Sequence, residues 1–316
     1  MSRVSFLKNK ISGVALLLLL VMLLSSCATR VVSVPEYMSF TDDSSNRVTL
    51  YSKPQRVAVL MSSLSEVWTL SGGVVDITVG ETVERGFASE DAVLVDSGAG
   101  KAINTELLIN AKPDFVICSA DISAQYEAAK LLEETGIPSA VFRIESFEDY
   151  LRVLSIFSRI NESTTAYEKY GTEVATRVWL TRELAKEDGK SALFLRAGST
   201  SSSVKAKSSA EHFAARMLTE LHVENIADSA PIIIDSLSIE EILLRDPDFI
   251  FISTMGDEAA ARKNIKEMFA LPEWQALSAV KENKYVFLPK ELFHYKPNAR
   301  WGEAYDFLLD FINGYE

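Results

Sequence analysis

Asn104-Thr105-Glu106-Leu107-Leu108-Ile109-Asn110-Ala111-Lys112-Pro113-Asp114-Phe115-Val116-Ile117 sets a polar cap and an acid ahead of a short apolar helix, then passes through Pro-Asp-Phe into an apolar strand. The same order returns at Ser238-Ile239-Glu240-Glu241-Ile242-Leu243-Leu244-Arg245-Asp246-Pro247-Asp248-Phe249-Ile250-Phe251. In register, Glu106 matches Glu240, Pro113 matches Pro247 and Asp114 matches Asp248. A helix does not run on through a proline, and a short apolar stretch behind one reads as a buried strand. Two copies of one plan predict two lobes of the same architecture.

Around the first copy, strand and helix signals alternate. After Lys53-Pro54, residues 56–61 read as a buried strand, and the hydroxyls of Ser62-Ser63-Leu64-Ser65 are placed to cap a helix running through Trp68 to Leu70. Residues 74–79, 114–118 and 139–143 read as further strands, and 125–134 as a helix. Around the second copy, strands are expected at 192–195, 248–252 and 285–288, and helices at 210–221, 239–244, 263–269, 272–278 and 301–312. Short apolar strands separated by helices predict parallel sheets.

Between these regions the pattern is helical from Ser146 to about Asp188, interrupted near Asn161-Glu162-Ser163. A helix over Thr164–Glu187 would span ~36 Å, enough for a strut between lobes. The expected fold is α/β: two parallel-sheet α/β lobes, 53–145 and 189–316, joined by a single long helix within 146–188. Residues 27–52 read as a tether and a short hairpin, with a turn at Asp43–Asn46 and a strand at Val48–Tyr51.

The chain begins with basic residues (Arg3, Lys8, Lys10), an apolar stretch from Val14 to Leu24, and Leu24-Ser25-Ser26-Cys27. Residues 1–26 thus read as a secretory signal, its core too short for a comfortable membrane span of ~20 residues. Cys27 after the small residues resembles the bacterial lipobox, whose cysteine is diacylated after cleavage just before it. Two acyl chains anchor stably where one is marginal. The expectation is a monomer held by lipid on Cys27 at the extracytoplasmic face of the cell membrane.

The 316 residues carry 32 Lys+Arg against 44 Asp+Glu, a formal charge of −12. Removing residues 1–26 takes away three positive charges and leaves −15. That balance argues against nucleic acid as a partner. With Cys27 lipidated, only Cys118 remains, in the apolar run Phe115-Val116-Ile117-Cys118, so no disulfide is expected. No His-Glu-x-x-His, Gly-x-Ser-x-Gly, Walker or Cys-x-x-Cys pattern occurs, so no catalytic residues are assigned and no enzyme is expected. Three scattered histidines argue against a dedicated site for a bare metal.

The order and spacing of these features resemble the ABC-transporter solute-binding lipoproteins for ferric siderophores, haem and vitamin B12. The resemblance rests on Phe40-Thr41-Asp42-Asp43 with Arg47-Val48-Thr49-Leu50, on Lys53-Pro54-Gln55-Arg56-Val57-Ala58-Val59-Leu60, and on both Glu and Pro-Asp units. It covers nearly the whole chain after Cys27. It departs at the hairpin, where the family often has Gly and this chain has Ser45-Asn46; Asn tolerates a left-handed turn. The resemblance implies class III periplasmic-binding-protein-like lobes joined by one long helix, with no permanently bound cofactor. It implies capture of a small-molecule metal chelate, a ferric siderophore first, haem second and cobalamin third, for delivery to an ABC permease and its ATPase. It also implies that Glu106 and Glu240 dock onto permease arginines. A surface adhesin or signalling protein on the same fold is the alternative of another class.

Ligands in α/β lobes sit beyond the C-terminal ends of the strands. That rule gathers Ser62, Ser63, Arg85, the stretch Ser97-Gly98-Ala99-Gly100 and Ser119 from the first lobe, and Arg196, Ser253, His294 and Tyr295 from the second. Arg85 and Arg196 suit anionic groups, and His294 or Tyr295 can reach haem iron. Met61, His212 and His222 read as structural, and a rigid strut predicts modest closure.

Overall fold

The computed structural model describes residues 35–96 and 102–315. The expected signal (1–26), Cys27, the start of the tether and the Ser97–Gly100 loop lie outside the described residues. Tyr37–Glu316 forms one compact unit.

The first sheet holds β3 (Val57–Val59), β4 (Ile77–Thr78), β5 (Val93–Leu94), β6 (Phe115–Ser119) and β7 (Ser139–Phe142), in the order β5-β4-β3-β6-β7. All its pairings are parallel. The second sheet holds β8 (Ser191–Ala197), β10 (Glu224–Asn225), β11 (Phe249–Thr254) and β12 (Tyr285–Phe287), parallel in the order β10-β8-β11-β12. A short β9 (Lys205–Ala206) runs antiparallel on β8. Each sheet changes direction once, between β3 and β6 and between β8 and β11.

The duplicated stretch serves the same purpose in both sheets. Lys112 and Asp246, each just before its proline, turn left-handed at φ 52° and 39° and end their helices. Asp114 then accepts from the backbone N–H groups of Gln55 and Arg56 at 2.7 and 2.9 Å, fixing the start of β3 beside β6. Asp248 accepts from the Ser191 N–H at 2.8 Å, fixing the start of β8 beside β11. The helix caps also match, with the Asn104 and Ser238 side chains accepting from the backbone N–H groups of Leu107 and Glu241.

The opening hairpin, β1 (Met38–Thr41) against β2 (Arg47–Leu50), packs onto the first lobe at one end of a core that continues into the second. Phe40 stacks on Phe142 at 6.0 Å, and Trp68 meets Phe157 edge-on at 5.3 Å. Fully burying such side chains stabilises by about 1.5–3 kcal/mol each. Asp42 closes the turn by accepting from Ser44 and Asn46, and its other oxygen accepts from the Val141 N–H at 3.0 Å. The left-handed residue of the turn is Ser45 (φ 68°), not Asn46.

The connection between lobes is helical in two parts. Phe147–Ile160 starts in a capping box of Ser146 and Asp149 and buries its apolar face in a core that runs from the first lobe into the second. Residues 161–163 break it, with Glu162 left-handed at φ 56°. The second part runs from Thr164 to Leu184 through a π-turn at Glu168–Thr172. It stops short of the expected Glu187, because Lys186-Glu187-Asp188 offers no apolar side chain whose burial would hold another turn. Arg177 and Thr181 fasten it to Asp306, and Arg182 to Tyr305 and Glu220, all in the second lobe. The Tyr150 hydroxyl donates to the Tyr170 carbonyl at 2.7 Å and joins the two parts.

Candidate functional site

At the two switch points the strand ends face one another. A cleft of about 700 Å³ lies between them, lined from the first lobe by Met61, Ser62, Ser63, Glu81, Glu84 and Asp96 and from the second by Arg196, His294, Tyr295 and Lys296. The first-lobe floor is held by Gln125. Its side-chain amide donates to the Leu60 carbonyl at 2.6 Å and accepts from the Ser119 N–H at 2.7 Å, so one side chain satisfies the ends of β3 and β6.

Contrary to the expectation from the sequence, Ser62 and Ser63 do not cap their helix; Met61 holds the cap position without a side-chain bond. Their hydroxyls are engaged elsewhere: Ser62 donates to Glu81, and the Arg85 guanidinium reaches Ser62 at 2.9 Å and Ser63 at 3.4 Å. Arg85 is also paired with Glu66 at 3.3 Å, and its guanidinium lies over the rings of Phe87 (4.8 Å) and Tyr295 (4.0 Å). Stacked and paired in this way, it is a clasp between lobes rather than a free cation.

A polar seam continues from there. The Asn298 side chain, fully buried and left-handed at φ 51°, donates to the Ser63 carbonyl at 3.0 Å and to Glu66 at 2.9 Å. Burial pushes the Glu66 carboxyl above its ordinary range, against the opposing pull of Asn298, Arg85 and Arg300. Lys296 reaches back to Glu145 at 2.6 Å and covers the Phe213 ring.

Arg196 differs from both. It lines the cleft, and its guanidinium has no hydrogen-bond or ion-pair partner among the described residues. His294 stands beside it. Burial, then Lys290 and Arg196, hold its imidazole below the usual range, with Glu81 across the cleft and a Thr254 backbone hydrogen bond opposing. The ring is therefore a neutral donor and acceptor near pH 7.

A family model described as periplasmic binding protein matches residues 57–292. The chain belongs to the periplasmic binding protein family. Solved structures of similar fold include Staphylococcus aureus SirA complexed with staphyloferrin B, with 18% identity over 87% of this chain and 98% of that one and a TM-score of 0.66. The periplasmic haem-binding protein RhuT from Roseiflexus shares 16% identity over 81% and 97% at a TM-score of 0.64. The vitamin B12 binding protein BtuF of Vibrio cholerae shares 17% over 83% and 97% at 0.65. A search of curated proteins finds no match. The family is one of binding proteins, not of enzymes.

In this periplasmic binding protein the expected contact residues divide. Ser62, Ser63, Arg196, His294 and Tyr295 line the cleft, while Arg85 lies behind it in the seam. Ser119 is buried beside a small side pocket shared with Met61, Ser63 and Lys296. Ser253 is buried, and its hydroxyl donates to the Phe293 carbonyl at 3.2 Å. Glu106 and Glu240 are exposed in the first turns of Thr105–Asn110 and Ile239–Arg245. Sequence reasoning missed Glu66, Glu81 and Asn298, because each sits in an ordinary polar helix or loop whose partners are remote in the chain. No described helix is long and apolar enough to cross a membrane.

Proposed function

We propose that this protein is the lipid-anchored substrate-binding component of an ABC importer, capturing a metal chelate, a ferric siderophore ahead of haem or cobalamin, in the interlobe cleft. The observation that carries this reading is the cleft itself. It lies at both switch points, has the volume of small-ligand sites (~300–1,000 Å³), and presents the unpartnered Arg196 beside His294 and Tyr295. Acceptor oxygens of a chelate suit a guanidinium that has no other partner. The solved structures of like fold bind staphyloferrin B, haem and vitamin B12, which supports the same ligand classes here.

Docking to a permease through Glu106 and Glu240 is part of the proposal. Each glutamate opens a helix that runs back to the start of a parallel strand, so each lies at the end of its sheet where the strands finish and the cleft opens. Leu244, 80% exposed, and the exposed Leu107 flank them with apolar surface.

The test is tryptophan quenching of the purified full chain in detergent, titrated with haem, cobalamin, a ferric hydroxamate and a ferric catecholate against empty-micelle blanks. Saturable quenching by one class at sub-micromolar concentration, weakened at least tenfold in Arg196→Gln, supports the reading. Absence of binding by all four overturns it.

A further inference from the structure

The two walls of the cleft carry opposite charge. On the second lobe stand Arg196 and Lys296, beside the neutral His294; on the first stand Glu81, Glu84 and Asp96. The basic wall is partly spent, since Lys296 is neutralised by Glu145. The acidic wall is not. Glu81 accepts from the Ser62 hydroxyl, which Arg85 also reaches at 2.9 Å, and Asp96 accepts from the Gly80 N–H at 3.2 Å; among the described residues none of Glu81, Asp96 and Glu84 is in an ion pair, and Glu84 has no hydrogen-bond partner. Both walls line the same cleft of about 700 Å³.

A cleft built for a purely anionic ligand gains nothing from three carboxylates on one side that form no ion pair among the described residues, because like charge opposes binding there. The same carboxylates favour a ligand that brings its own cation. Arg196 meanwhile favours acceptor oxygens on the opposite side.

We infer that the cleft selects a metal chelate of split charge, with an acceptor-rich chelating core turned to Arg196 and His294 and a pendant ammonium turned to Glu81, Glu84 and Asp96. This rests on the reading of the cleft as a chelate site and names the class of chelate it takes. Amine-free chelates of high negative charge are discriminated against by the acidic wall, and an amine-bearing one is oriented by it, so both affinity and register follow from charge placement.

The experiment uses two probes that differ only in that charge: the ferric complex of desferrioxamine B, which carries a terminal ammonium, and the ferric complex of its N-acetyl derivative. Each is titrated into the purified full chain and into Glu81→Gln/Glu84→Gln, alongside haem and a ferric catecholate. The expected result is at least tenfold tighter binding of the amine-bearing complex. That preference should shrink at least fivefold in the double variant, through weaker binding of the amine-bearing complex. Arg196→Gln should weaken both complexes alike. If the double variant fails to fold, Glu84→Gln alone, at an exposed side chain without a partner, should reduce the preference in the same direction. Equal affinity for the two complexes, or a preference that survives the substitutions, overturns the inference while the chelate reading stands. So does binding of haem or the catecholate with neither hydroxamate. Absence of all binding overturns both.

Discussion

His212 shows how one side chain links the second-lobe core to the cleft. It caps the helix Phe213–Glu220 by accepting from the Ala214 N–H through Nδ1 at 3.2 Å, and its ring packs against Phe194 and Phe213. Burial, then the positive charges of Lys296, Arg196 and Lys207, push its imidazole down to about 3. The unfolded chain therefore binds a proton that the folded chain refuses between pH ~6.5 and about 3. Stability from this group is complete above pH 6.5 and is lost as pH falls through that window. Asn at this position keeps a capping side chain but cannot titrate. Urea denaturation of His212→Asn should accordingly show a loss between pH 7.5 and 5 that is smaller than the parent's by about 1–2 kcal/mol. Equal losses would mean that His212 does not set this dependence.

Among the elements, the last helix (Trp301–Asn313) and the strut lie close enough to require a glycine. A Cβ on Gly302 would fall 2.5 Å from Cδ and 3.1 Å from Cβ of Arg177. The Arg177 tip can move, but its stem is held near the helix backbone, and moving it weakens the pair with Asp306 at 2.6 Å. Alanine would recover up to ~1 kcal/mol of helix propensity, against about 1–3 kcal/mol for overpacking and a further 0.2–1 for a half-exposed ion pair. Gly302→Ala should therefore destabilise by about 1 kcal/mol in equilibrium unfolding; a stabilised variant would show that the helices can part without cost. The twin Pro-Asp units work at this scale too. Their aspartates were visible as a repeat, but their task of fixing the neighbouring strand's start required β3 and β8 to be placed beside β6 and β11.

Across the whole molecule, the strut belongs to both lobes. Phe147–Ile160 packs in a core shared by the two lobes, with Phe147 edge-on to Trp301 at 6.0 Å, and Thr164–Leu184 is fastened to the second lobe by Arg177, Thr181 and Arg182. The seam of Arg85, Glu66, Asn298 and Tyr295 adds direct contact between lobes. Both favour a body that changes shape little on binding, and the proposed docking through Glu106 and Glu240 has a direct test. Glu106→Ala and Glu240→Ala should each leave ligand affinity within twofold of the parent but cut uptake in cells at least tenfold when combined. Uptake should also weaken as ionic strength rises, since exposed charge pairs are screened beyond ~8–10 Å. Unimpaired uptake by the double variant would discard the docking role and favour an adhesin or signalling protein.

The sequence by itself determined the α/β class, the two mainly parallel sheets and the strand ends at which the cleft opens. Hydrophobic periodicity, proline and glycine act locally, and strand ends follow from them. It also placed Arg196, His294 and Tyr295 in the cleft. Only the tertiary structure decided that Arg85 is already engaged, that Ser253 is buried against Phe293, and that Glu81, Glu84 and Asp96 oppose Arg196. The reason is physical: a side chain's availability depends on partners that arrive from distant parts of the chain. Glu66 and Asn298 lie 232 residues apart and meet only when both lobes have formed.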